Sequence, residues 1–222
     1  MLPGPGAYGK GPPVPHPVSS EPRFEAVLSS VATLDCARRC RSRREFIGLV
    51  ADFARMFNTM VLWVAQGFGL GRIPWAPGTF GSVGGLVWMA LLLAIGNFWG
   101  YLFAMVLSFF ISVWFCGSAA RTLGHEDPPS VVLDEIVAIP LCALGWLASA
   151  WFSHHHWPTP TDLLLRPGCW MALACFVLFR VFDIAKPWPV EQSQALPGGL
   201  GITVDDLLAA TYVNLLLIPF LP

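Results

Sequence analysis

Seven ionisable residues in an otherwise apolar chain are spaced so that they could act together. Arg180, Asp183 and Lys186 close one apolar run, Asp205 and Asp206 stand at the head of the next, and Asp134 with Glu135 opens a third. The i, i+3 spacing of Arg180 and Asp183 puts both on one helix face, and Pro187 and Pro189 stop that helix with Lys186 in the exit turn. An ionised group at the centre of an apolar helix costs ~2.5–3.5 kcal/mol even on the lenient insertion scale, and this many inside or near such helices require compensation. Five carboxylates at three helix ends repel one another unless a cation sits among them. Oxygen ligands without Cys or His companions favour Mg²⁺, with Asp134, Glu135, Asp205 and Asp206 supplying most of the ligands and Asp183 either a further ligand or a general base. For Asp134 or Asp205 singly, capping of a helix N-terminus is the competing role. Arg180 and Lys186 beside such an ion would clamp a phosphate, one as a bidentate fork and the other as a point charge. A local Arg180–Asp183 ion pair would explain the first cation but not the second.

The chemistry so outlined is phosphate-ester hydrolysis. No Cys-x5-Arg loop, Asp-x-Asp pair or histidine-phosphatase pattern supplies a nucleophile, so a directly attacking, metal-activated water is the expected route. Asp183, Asp205, Asp206 and Glu135 are the candidate catalytic carboxylates. Upstream, the Gly- and Pro-rich stretch GLGRIPWAPGTFGS, Gly69 to Ser82, precedes an apolar run. Its N–H groups, with Gly78, Thr79 and Ser82 nearest that run, could form an anion-binding nest, or the stretch could be a tight turn between membrane segments. His125, between two apolar runs, is a candidate substrate contact or proton carrier, or else a solvated loop residue.

The elements that must position these residues are membrane helices. Of 222 residues 55% are hydrophobic and 12% charged, and the mean hydropathy is +0.60, well outside the range of a soluble domain. Five apolar segments are expected at roughly 83–96, 99–119, 132–152, 168–183 and 207–221, several of them short for a span and so tilted or in thinned bilayer. Ahead of them, Phe46, Ile47, Leu49, Val50, Phe53, Ala54 and Phe57 fall at helical spacing, predicting an amphipathic surface helix over 45–57. Thr59 to Leu70 is too short to cross ~30 Å of hydrocarbon and is expected to be re-entrant or interfacial. The expected fold is therefore all-α: a polytopic membrane bundle of about five segments plus an N-terminal interfacial helix.

Residues 1–44 form the expected first region, a Pro- and Arg-rich disordered extension, and 45–222 the membrane-embedded domain. Seven prolines and four glycines among residues 1–22 argue against a signal peptide, and GPGAYGKG there lacks both the Ser or Thr and the preceding strand of a P-loop. Residues 1–59 carry eight Lys or Arg against five acids, and residues 60–222 carry five against nine. That asymmetry points to a lipid surface and away from nucleic acid. The six cysteines are scattered, four of them in apolar runs, and imply neither a disulfide framework nor a zinc site.

If the segments alternate across the bilayer, loops 67–82, 120–131 and 184–206 share one face. The turn at Gly96 to Gly100 and the loop 153–167 share the other. Arg72, Arg121 and Lys186 lie on the first, which the positive-inside tendency makes cytoplasmic.

Four segments, PGTFGS (77–82), LDE (133–135), RVFDIAKPWP (180–189) and GGLGITVDD (198–206), resemble in order those of the phosphatidylglycerophosphatase A family. The resemblance covers about residues 60–220. It implies a magnesium-dependent phosphatase of the bacterial inner membrane that removes the terminal phosphate of phosphatidylglycerophosphate, a lipid bound from the membrane. The alternative from another class is a small ion transporter, since intramembrane acids also mark ion pathways. It is the weaker, because the acids gather at one face and segments 83–96, 99–119 and 207–221 hold no ionisable residue. Oligomeric state is not encoded in these patterns.

Overall fold

The computed structural model describes Arg43 and residues 46–220. The chain divides into two units, Met1–Asp52 and Phe53–Pro222, and the site lies wholly within the second. The expectation of disorder over 1–44 falls outside the described residues, save for Arg43, which is helical. Every long element is a helix: α1 (Phe46–Ala65), α2 (Pro77–Leu93), α3 (Phe98–Leu123), α4 (Leu133–Cys142), α5 (Leu144–Phe152), α6 (Gly168–Ala185), the single turn α7 (Val190–Ser193) and α8 (Gly199–Leu217). Short 3₁₀ turns join or end them, and no strand occurs among the described residues. Five stretches are long and apolar enough to cross a membrane: Phe46–Ala65, Phe98–Leu123, Leu133–Phe152, Gly168–Ala185 and Gly199–Phe220.

Four of these spans overlap expected segments. The N-terminal part of the chain's apolar region differs from expectation. The segment foreseen at 83–96 is α2, which starts at Pro77 and has only 17 residues. The break foreseen after Phe57 is absent, and α1 runs unbroken for 20 residues. Apolar Met60, Val61, Leu62 and Val64 continue its helical pattern, so nothing in the sequence halts it before the glycines at 67, 69 and 71.

Local signals set most boundaries. Asn97 caps α3 by accepting from Gly100 N–H at 2.8 Å, and Gly124 ends it in the left-handed region at φ 72°. Pro77 supplies the preorganised first residue of α2. Pro140 lies inside α4, whose helix gives way to α5 at Ala143. Two groups loosened by that break find partners in neighbouring helices. Tyr101 Oη donates to Pro140 O at 2.8 Å, and Gly145 N–H donates to Asn214 Oδ1 at 2.8 Å. In hydrocarbon each would otherwise cost several kcal/mol.

Helices α4 and α8 form the centre. The first packs on α2, α3 and α8, and the second on α3, α4 and α6. A fully buried set including Tyr101, Ile139, Leu147, Phe179 and Val213 fills the space between them. Close approach of α8 to α3 depends on small residues: a Cβ on Gly199 would collide with Val113 O, and one on Gly117 would lie 2.8 Å from Gly199 N. The turns sort to two ends as the alternating topology requires. Gln66 donates to Ser130 Oγ at 3.2 Å and Val132 N–H to Ala65 O at 3.0 Å, joining the 66–72 and 130–132 turns. At the other end Trp157 Nε1 donates to Leu93 O at 2.9 Å, and Phe98 stacks edge-on with Phe152.

Candidate active site

Each acidic pair sits where a helix enters the site end of the bundle. Asp134 and Glu135 occupy the first turn of α4, where the positive end of the helix favours carboxylates, and Asp134 Oδ1 accepts Glu135 N–H at 3.0 Å. The loop before α8 is shorter than expected, because α8 begins at Gly199 rather than near residue 207. Asp205 and Asp206 are thus its seventh and eighth residues, beyond the orphan N–H groups of the first turn. Helix capping does not account for them. Asp134, Asp205 and Asp206 are buried, at 6%, 5% and 4% exposure.

Arg180 joins two of the acids across helices. Its Nη1 lies 2.7 Å from Asp183 Oδ2, one turn on along α6, and 3.3 Å from Glu135 Oε2 on α4. Ser82 on α2 donates to that same Oε2 at 3.1 Å, while also lying 2.9 Å from Gly78 O. Gly78 and Gly81 are required by this meeting. A Cβ on Gly78 would collide with Glu135 Oε1 and stand 2.8 Å from Arg180 Nη1, and one on Gly81 would come within 2.8 Å of Glu135 Oε2. Thr79 is half-buried in the same first turn, with its N–H on Ala76 O at 3.0 Å.

Lys186 takes the left-handed conformation, φ 42° and ψ 57°, at the end of α6, where a glycine would be the unstrained choice. The turn aims its ammonium at α8: Nζ lies 2.9 Å from Asp205 Oδ2. The same oxygen accepts from Gln194 Nε2 at 3.0 Å. Burial disfavours the ammonium's charge, but the hydrogen bond to Asp205 and the charges of Asp205, Asp183 and Asp206 outweigh it and hold the Lys186 pKa above its ordinary value.

Asp206 interacts electrostatically with Asp134, Asp183, Asp205 and Glu135, and its carboxylate accepts no hydrogen bond among the described residues. A buried carboxylate that feels the charge of four others and accepts no hydrogen bond among the described residues is one that a cation would neutralise. The donor set is all oxygen, as a hard divalent ion prefers. Among the described residues no three acidic, His or Cys side chains already close around one point, so binding would have to draw them inward.

His125 is not part of the carboxylate cluster. It is exposed and lines a neighbouring cleft of about 600 Å³ with Arg121, Glu126, Asp127 and Gln194. Gln194 connects the two regions, since it both lines the cleft and holds Asp205. Its role was not legible in the sequence, where it is one polar residue among EQSQ. A single helical turn, α7, places it.

The family model described as "Phosphatidylglycerophosphatase A" matches residues 63–221. The chain belongs to the phosphatidylglycerophosphatase A family. Relatives agree: the phosphatidylglycerophosphatase A of Haemophilus influenzae is 35% identical over 152 residues, 67% of this chain and 81% of its own length. That of Escherichia coli is 32% identical over 148 residues, 66% of this chain and 74% of its own. A Bacteroides thetaiotaomicron protein named as a candidate phosphatidylinositol-3-phosphatase is 33% identical over 160 residues, 69% and 89% of the two chains. No solved structure matches the chain. Membership of this family makes the protein a phospholipid phosphatase with membrane helices. The α2, α4, α6 and α8 residues assembled above all fall within the matched region.

Proposed function

We propose that the protein hydrolyses phosphatidylglycerophosphate to phosphatidylglycerol and phosphate, with Mg²⁺, at the cytoplasmic face of a bacterial inner membrane. The observation that carries this reading is the convergence of two cation–carboxylate links, Arg180 with Glu135 and Asp183, and Lys186 with Asp205, around the unpartnered Asp206. Two of the relatives bear the phosphatidylglycerophosphatase name. In the reaction water oxygen adds to phosphorus, the P–O bond to the terminal glycerol carbon's oxygen breaks, and that oxygen leaves as a hydroxyl.

Mg²⁺ held by Asp134, Glu135, Asp205 and Asp206 would supply Lewis-acid polarisation and a more acidic water. Arg180 and Lys186 neutralise the non-bridging phosphate oxygens, whose charge is redistributed in a loose transition state. Asp183, held by Arg180 at 2.7 Å, takes the proton from the attacking water and returns it to the departing glycerol oxygen. Gly78, Thr79 and Ser82 lay the start of α2 against this centre, so that the phosphate can approach the backbone. Purified protein should release phosphate from phosphatidylglycerophosphate in micelles, lose that activity with EDTA and regain it with Mg²⁺. Release that is indifferent to EDTA would remove the metal, and absence of release from this lipid would remove the substrate.

A further inference from the structure

Arg121 stands between two cavities. It lines the polar cleft of about 600 Å³ beside Asp205's partner Gln194, and it also lines a shallow, mixed groove of about 560 Å³ between α1 and α3, with Phe57, Val61 and Trp114 as its apolar wall and Asn58, Ser118 and Thr122 as its polar one. Its Nη2 bonds only to Ser118 Oγ, at 2.9 Å, and among the described residues it makes no ion pair. A cation at a helix C-terminus is ordinary. One left without a carboxylate, although Glu126 and Asp127 line the same cleft, needs a further account. Beyond the groove the exposed faces are apolar: Met60, Phe103 and Phe110 are 61%, 71% and 63% exposed. The order from acyl region to chemistry is therefore exposed apolar helix faces, mixed groove, a guanidinium without a carboxylate partner, polar cleft, carboxylate centre. A phospholipid monophosphate has the same order: acyl chain, diester phosphate, polyol, terminal phosphate.

We propose that Arg121 holds the diester phosphate of the lipid substrate, with an acyl chain against the exposed apolar faces that lead to Phe57 and Trp114 and the polyol in the His125–Gln194 cleft. This rests on the phosphatase reading and adds to it how the enzyme selects a lipid that carries two phosphates. The guanidinium is well suited because its planar fork pairs with two phosphate oxygens at once. Arg180 and Lys186, each already held by a carboxylate, stay with the scissile group.

The test is R121Q in detergent micelles, with kinetics on phosphatidylglycerophosphate and two inhibitors. KM should rise about tenfold while kcat stays within about twofold, the size of losing one charge-assisted contact. Phosphatidylglycerol, which keeps only the diester phosphate, should inhibit about tenfold less well, and inorganic phosphate, which needs only the scissile site, should inhibit as before. R121K, keeping the charge without the fork, should fall between, and guards against a misfolded R121Q. An unchanged KM, or inorganic phosphate weakened in step with phosphatidylglycerol, would overturn the assignment. If wild type releases no phosphate, the substrate reading fails by itself. Direct binding of phosphatidylglycerol micelles to wild type and R121Q then decides the Arg121 question, equal affinities counting against it.

Discussion

Lys186 Nζ and Asp205 Oδ2 lie 2.9 Å apart, joining the left-handed residue that ends α6 to the second turn of α8. A strained non-glycine residue at this point persists because its side chain reaches a buried acid that has few other donors. The link therefore ties the end of one span to the interior of another, and substitutions there separate binding from folding.

Replacing Lys186 by Met should lower kcat by about 10²-fold, the scale of removing one preorganised donor from a developing charge. The pKa of Lys186 is raised in the folded protein, so the stability it contributes is present below the unfolded value of about 10.4 and is lost as pH rises through the folded one. The melting difference between wild type and K186M should therefore be flat between about pH 6 and about pH 9 and shrink only above about pH 10. A difference that fades on acidification from neutral pH would assign the stability to another group.

Arg180 engages acids on two helices, so R180K should lose the α4 contact before the α6 one. We expect kcat to fall at least tenfold with the melting temperature nearly unchanged, since Nη1 meets both acids and leaves the other guanidinium N–H groups for phosphate, which an ammonium lacks. Wild-type turnover in R180K would reduce Arg180 to a structural tie.

D134N, D205N and D206N should each raise the Mg²⁺ concentration for half-maximal phosphate release and cut maximal turnover by about 10²-fold. D206N is the most informative, because it removes charge from a carboxylate without a donor and should leave the protein as stable as wild type or more so. Two of the three retaining normal Mg²⁺ dependence would dismiss this ligand set.

Gly199→Ala should destabilise the fold by about 1–3 kcal/mol, as overpacking does, because its Cβ meets Val113 O and α3 cannot retreat without opening the cleft. Thermal unfolding in detergent measures it. Gly96→Ala, with nothing within 4 Å, isolates the cost of a positive φ and should be smaller.

Single cysteines at Trp75, Glu126 and Glu191, all exposed, should react with an impermeant thiol reagent from the cytoplasmic side, and one at Thr159 from the other. Ser82 and Ser193 are buried and would report nothing. Labelling of Trp75 and Thr159 from the same side would dismantle the two-ended arrangement.

Much of this protein is written in local pattern. Apolar runs, Asn97 and Gly124 as caps, and prolines 77 and 187 mark most helix limits, because capping and proline geometry are decided within a few residues. The grouping of Asp134, Glu135, Asp183, Asp205, Asp206, Arg180 and Lys186 at one end follows from alternation across a bilayer, which converts sequence order into sides. Only the tertiary structure decided that Asp205 and Asp206 lie inside α8 rather than at its start, since GGLGITV looks like loop until Gly199 and Gly201 are needed for close packing on α3 and the 194–196 turn. It also decided that Arg180 serves two acids, and that Gln194 and Arg121 border a cleft. These depend on side chains from segments far apart in the chain, and no spacing rule within one segment carries that information.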